Sequence, residues 1–196
     1  MIRGEPRQLT IIKPDDPGYP PGMTAAGIGL AQQTLQAGGN ADVLKGVEVD
    51  LFCSARCPGY LILREYDLAK KLRDESVTVI SGFHSPVEKE CLRILLRGKQ
   101  PIIICPARSL VNLRVPGDWK RPLESGRLLL LSPFSAKHRR VTAELGKRRN
   151  ESAAAIADRV CFVHVSPSSE VEALREQVRQ RAKSNAIEYV SEDAQH

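Results

Sequence analysis

The sequence predicts an α/β fold: a doubly wound, mainly parallel sheet with helices on both faces. Three observations predict it. From Val47 onward, short apolar segments alternate with longer amphipathic ones. The apolar segments, among them Val77-Thr-Val-Ile80 and Ile102-Ile-Ile104, run almost without polar interruption, as strands covered on both faces do. The segment after Ile80 turns at Ser81-Gly82 and reaches Pro86, a residue suited to the first turn of a helix because its missing N–H costs nothing there.

Taken in order, Leu9–Ile12 reads as a short strand. Pro14 to Gly22 is rich in turn residues and reads as non-helical. Ala25–Gln36 reads as a short helix stopped at Gly38-Gly39-Asn40. The regular alternation then starts with a strand at Val47–Cys53 and a helix at Tyr60–Asp74, with Leu61, Leu68 and Leu72 on one face. Strand Val77–Ile80 and helix Pro86–Arg97 follow. Glu88 and Glu90 sit in the first turn of that helix, where its dipole favours them. Next come strand Pro101–Cys105, a short helix Pro116–Glu124 with the lone Trp119, and strand Arg127–Leu131. Arg139–Asp158 reads as helix, broken between Gly146 and Asn150. Strand Val160–Val165, helix Ser169–Ala182 and strand Ala186–Val190 close the pattern. The division expected is an appendage over residues 1–46 and a Rossmann-like domain over 47–196.

Right-handed crossovers bring the loops after the strands to one edge of such a sheet. The loops are Ser54–Gly59, Ser81–Pro86, Pro106–Arg108, Ser132–Ser135 and Ser166–Ser169. Glycine, serine and arginine recur in them, which suits a phosphate cradle of N–H groups, hydroxyls and guanidinium forks. Gly82 would let a ligand approach the backbone. His84 and Ser85 share its turn, His84 as a polar loop residue rather than a catalyst. His164, in an apolar strand, reads as structural.

The net charge is +6 with a pI near 9.2, which permits a polyanionic partner. Residues 137–150 hold six Lys or Arg against one acid, so this stretch alone nearly matches the whole excess. Its members Lys137, Arg148 and Arg149, with Arg56 and Arg108 at strand ends, are the candidate anion contacts.

The chain has no apolar run long enough to span a membrane and no signal-peptide pattern at its start, so a cytoplasmic location is expected. Five cysteines, an odd number, argue against a disulfide framework. Cys53 and Cys57 are four apart, but no second ligand pair follows, so no metal site is expected. No Gly-x-Gly-x-x-Gly follows the first strand of the alternation and no Walker A sequence occurs, so no cofactor is expected.

Several short segments carry a family likeness. Asp16-Pro-Gly-Tyr-Pro-Pro-Gly-Met23, Gly39-Asn40 with Leu44, Ser54-Ala-Arg56, Ser81-Gly82, and Arg149-Asn150 before a strand occur in that order. Together they resemble the DNA-processing protein A family (DprA, or Smf), of the wider superfamily that includes lysine-decarboxylase-like proteins. The resemblance spans roughly residues 9–180. It implies a Rossmann-like fold, a homodimer, and binding of single-stranded DNA in a basic pocket at the sheet edge. It also implies service to a RecA-type recombinase in DNA uptake and transformation. Residue by residue, it carries DNA or phosphate contact onto Arg56, Gly82, Arg149 and Asn150. The chain departs from the family at Pro86 (a family Gly), Glu88 (a family Asp) and Leu92 (a family His). The family's helical and winged-helix flanking domains have no counterpart in these residues. The expected binding set is therefore Ser54, Arg56, Gly82, His84, Ser85, Arg108, Lys137, Arg148, Arg149, Asn150, Ser168 and Ser169, with no catalytic residue.

Two alternatives stay open. One is a nucleotide-binding sensor using the same pocket. The other is a hydrolase of the superfamily that cleaves nucleoside monophosphates at the glycosidic bond, with Glu88, Glu170 or Glu172 as acid or base. Phe83 and Phe134 are the aromatics of the loop edge on which a base could stack.

Overall fold

The computed structural model describes residues 9–25, 30, 32–46, 49–53, 57–181 and 187–189. The strands are β1 (Leu9–Ile12), β2 (Leu35–Gly39), β3 (Val49–Cys53), β4 (Val79–Ser81), β5 (Ile102–Ile104), β6 (Leu128–Ser132), β7 (Arg159–His164) and β8 (Ile187–Tyr189). They form one eight-stranded sheet in the order β1-β2-β6-β5-β4-β3-β7-β8. The six strands from β6 to β8 are mutually parallel. At the far edge β2 runs antiparallel to β6, and β1 antiparallel to β2. The predicted α/β class, with a mainly parallel sheet, is what the chain adopts.

Side-chain parity explains the layers, because alternate residues of a strand face opposite sides. Val49, Leu51, Val79, Ile102, Ile104, Leu128, Leu130 and Cys161 face one side. They pack against α2 (Gly59–Asp74) and α3 (Pro86–Leu96) through Ala69, Leu72, Cys91 and Leu95. Trp119 and Leu123 of α4 (Gly117–Glu124) join that layer. Ile80, Ile103, Leu129 and Leu131 face the other side, beneath α1 (Pro21–Ala25) and α5 (Ala143–Ile156), which contribute Met23, Ala153 and Ile156. Phe52, Val160 and Phe162 continue this face under Leu174 and Val178 of α6 (Glu170–Arg181). The Phe52 and Phe162 rings stack at 5.7 Å.

Three local expectations are corrected. Leu35 and Gln36 are strand, not the end of a helix from Ala25. The β2 backbone is taken up by pairing on both sides, Gln36 opposite Ser132 and Ile11. The turn-rich stretch up to Gly22 ends in helix: Pro21 and Gly22 open α1. A Cβ at Gly22 would lie 1.8 Å from the Ala155 carbonyl oxygen, so glycine is what lets α1 settle on α5. Finally, α5 runs unbroken through Gly146. Thr142 caps it, its Oγ1 accepting from the Leu145 N–H at 3.2 Å. Its buried stripe of Leu145, Arg149, Ala153 and Ile156 recurs at helical spacing. Cap and stripe outweigh the ~1 kcal/mol that an interior glycine costs. The remaining elements from β3 to β8 start and end within a few residues of their predicted limits, although Arg139–Val141 stay outside α5.

No helix among the described residues is long and apolar enough to cross a membrane.

Candidate nucleic-acid interface

The chain moves outward from β3 through β4, β5 and β6, then returns to the other side of β3 with β7. The carboxyl ends of β3 and β7 therefore flank the point where the winding reverses, where open α/β sheets bind ligands. A cleft of about 410 Å³ lies there. Phe52 and Cys53 line it from β3, His84, Ser85 and Glu88 from the turn into α3, Arg149 and Asn150 from α5, and Ser166–Val171 from the turn into α6.

The turn into α3 is closed by its own side chains. Ser85 caps the helix, its hydroxyl accepting from the Glu88 N–H at 3.1 Å. The Glu88 carboxylate reaches back and accepts from the N–H groups of His84 (2.7 Å), Ser85 (3.0 Å) and Cys53 (3.3 Å). The N–H groups expected to cradle a phosphate are thus held by a built-in carboxylate. The His84 side chain is exposed at the mouth.

Gly82 and Arg149, both singled out in the sequence, meet each other. A Cβ on Gly82 would lie 1.3 Å from Arg149 Nη1 and 2.0 Å from its Cζ. The open backbone of Gly82 thus receives a guanidinium of the same chain. Arg149 is 6% exposed and donates from Nη1 to the Cys105 carbonyl at 3.1 Å. Below it, Asp50 projects from the centre of the sheet and is fully buried, and no side chain among the described residues donates to its carboxylate oxygens. Burial pushes the Asp50 carboxyl well above its ordinary range; Arg149 pulls it back and the charge of Glu88 adds to the rise. Arg149 therefore forms part of the floor of the cleft, compensating buried charge.

The other cations face outward. Lys137, Arg139 and Arg140 lie exposed on the loop between β6 and α5, and Lys147 is exposed on α5. Arg148 lies with its Cζ 5.7 Å over the Phe134 ring. None of these five is ion-paired among the described residues. Arg108 is half-buried after β5. Its carbonyl accepts from Ser132 Oγ at 2.8 Å, and its Nε lies 3.4 Å from the Ser109 carbonyl. Asn150 lines the cleft, and its Oδ1 has no hydrogen-bond partner among the described residues. Ser168 and Ser169 shape the turn into α6. Ser168 takes a φ of 57°, its N–H donates to Glu172 Oε2 at 2.7 Å, and Ser169 Oγ accepts from the Glu172 N–H at 3.1 Å. Ser54 and Arg56 lie outside the described residues.

Phe83 and Phe134 are 4% and 1% exposed, so neither offers a face to a base. Phe83 takes a φ of 46° and turns into the core beside Leu92, which explains its loss from the loop edge. His164 is half-buried, its Nε2 3.2 Å from Ser166 Oγ.

Two buried acids escaped the sequence reading, Asp50 and Glu65. Each leaves a legible signal. Asp50 interrupts the apolar run of β3, and Glu65 stands four residues from both Leu61 and Ala69, on the buried face of α2.

No protein-family model and no curated protein matches the chain in sequence. Solved structures do match it in fold. DNA processing protein A (DprA) of Streptococcus pneumoniae superposes with a TM-score of 0.72 at 17% identity, over 90% of this chain and 62% of that one. The chain thus spans less than two thirds of that protein. DprA of Helicobacter pylori, described for its single-stranded DNA binding mode, superposes with a TM-score of 0.70 at 16% identity, over 91% of this chain and 80% of that one. The family suggested by the short motifs is the one whose structures superpose on this chain: its fold is the Rossmann-like fold of the DprA proteins.

Proposed function

We propose that the chain binds single-stranded DNA along the carboxyl edge of its sheet, as a DprA-like binding protein. The observation that carries this reading is the row of cations from Lys137 to Arg148, without ion pairs among the described residues, in the segment that leads directly into the cleft-lining Arg149 and Asn150. A strand of phosphates satisfies several cations at once and releases their counterions, a gain a single phosphate cannot match. The Asn150 amide, the Ser166–Ser169 turn and exposed His84 provide polar contacts on the cleft walls. Arg108, just after β5, completes the proposed contact set and Arg149 holds the floor in place, while Arg56 is included on the resemblance alone. With Phe83 and Phe134 buried, binding rests on phosphate contacts and shows little sequence preference. Delivery of the strand to a RecA-type recombinase and homodimer formation belong to the same proposal and draw on the resemblance, and a cytoplasmic location is proposed with them. Recombinase pull-down and light scattering test the first two.

One carboxylate of the hydrolase alternative, Glu88, is occupied, while Glu170 stays on the cleft wall. Both Glu88 oxygens are engaged by backbone N–H groups, so neither is directed at a leaving group.

Fluorescence anisotropy with a labelled oligothymidylate tests the reading. Affinity is expected to fall steeply with salt. Arg139→Ala/Arg140→Ala is expected to lower the slope of log K against log salt by about 1.4, since each phosphate left without its arginine takes away about 0.7. Nucleoside monophosphates are expected to compete weakly and to release no free base. Salt-independent affinity would overturn the proposal. Tight mononucleotide binding without oligonucleotide binding would favour the sensor.

A further inference from the structure

We propose that Cys53, Cys57 and Glu65 form a binding site for a thiophilic divalent cation of the zinc class. Their two sulfurs and a carboxylate oxygen all lie within 4.8 Å of one another. That separation is about twice a zinc–sulfur bond, so a single ion can bridge the three with small side-chain rotations. Spacing in the sequence offered only the two cysteines. The fold adds the third donor from α2, whose first turns pack beneath the end of β3.

Glu65 supplies the second, independent observation. It is fully buried, and no nitrogen or hydroxyl among the described residues donates to either of its oxygens. A carboxylate in that position is costly unless a cation or several donors meet it. What faces it is sulfur: the thiols of Cys53 and Cys91, with Glu88 adding an unfavourable charge from α3. Cys91 also donates to the Glu65 backbone carbonyl at 3.8 Å, which fixes this turn of α2. Two thiolates and a carboxylate are a borderline-soft donor set that selects zinc-like ions over magnesium or calcium. Three protein donors leave a fourth position for solvent, and half-buried Cys57 gives the ion a way in.

The proton balance is explicit. Zn²⁺ displaces one proton from each thiol, plus one from Glu65 in the molecules where it is protonated, leaving a site of net charge −1. Affinity therefore rises with pH, since all three donors must be deprotonated. The ion would tie Cys53, at the end of β3, and Cys57 to Glu65 of α2. This site does not depend on the DNA-binding reading, and either can fail without the other.

The test uses the whole chain, reduced and stripped with a chelator, and Co²⁺ as an optical stand-in for Zn²⁺. One equivalent of Co²⁺ is expected to give thiolate-to-cobalt charge-transfer absorption and the intense visible bands of four-coordinate cobalt, both abolished by Zn²⁺. Cys57→Ser and Glu65→Gln should each weaken binding by at least what loss of an outer hydrogen-bond partner costs, on the order of 10-fold. Cys161→Ala should not. Native mass spectrometry of the unsubstituted protein keeps the proposal falsifiable if a variant fails to fold: the mass should rise by one zinc less two or three protons. Absence of the charge-transfer band, its persistence at full strength in both variants, or a two-hydrogen mass loss without metal would overturn the site.

Discussion

Gly82→Ala is expected to destabilise the protein by about 2 kcal/mol, a large effect for one methyl group. Gly82 does not occupy the left-handed region, so alanine is allowed there by its backbone. At such a site the substitution should stabilise by roughly 0.4–1 kcal/mol, through the unfolded chain. The collision reverses the sign. With the new Cβ 1.3 Å from Nη1, the Arg149 guanidinium must leave its position. Its charge-assisted bond to the Cys105 carbonyl goes with it, and such bonds are worth about 1.5–3 kcal/mol. Asp50 then loses the one cation that pulls its carboxyl down, against burial and Glu88. The check is a double-mutant cycle by urea unfolding. Arg149→Ala alone should cost a similar amount, and adding Gly82→Ala to it should cost nothing, because the methyl then enters vacated space. Additive losses would mean that the two residues do not act through this contact.

The same pair shows where sequence reading stops. Gly82 and Arg149 were each legible as special, one by its place after a strand, the other by its basic neighbourhood. That they serve each other is a matter of helix rotation on α5, which no local pattern encodes. The turn at Ser85 is similar. Pro86 and Glu88 announce a helix start, but the capture of the His84 and Cys53 N–H groups by Glu88 joins residues up to 35 apart. The parallel strands were plain because burial on both faces leaves an unbroken apolar run. Leu35-Gln-Ala-Gly-Gly39 has little strand propensity and a helix-stop ending. Its extended state is imposed by β1 and β6 on either side. Glu65 could have been found: a charged residue amid the apolar face of an amphipathic helix is a local signal.

Glu65 also carries the largest expected pH effect. Burial pushes its carboxyl up to about 7, from an ordinary 4.5; the thiols of Cys53 and Cys91 moderate the rise and Glu88 adds to it. A group whose folded value lies above its unfolded value favours folding while protonated. Its contribution is fully present below about pH 4.5, declines as pH rises toward 7, and is gone above that. At 1.36 kcal/mol per unit, the decline amounts to about 3 kcal/mol. Asp50 shifts in the same direction, so the unsubstituted protein alone cannot assign the loss. The difference between it and Glu65→Gln can, since glutamine keeps the shape and does not titrate. Measured by urea unfolding in chelator and reductant, the stability of Glu65→Gln relative to the parent should rise by about 3 kcal/mol between about pH 4.5 and pH 8. A saturating zinc-class ion should shrink that difference at the alkaline end, because it binds the chain that keeps the carboxylate more tightly and so stabilises it more. A difference that stays constant with pH would show that Glu65 titrates alike in the folded and unfolded chain.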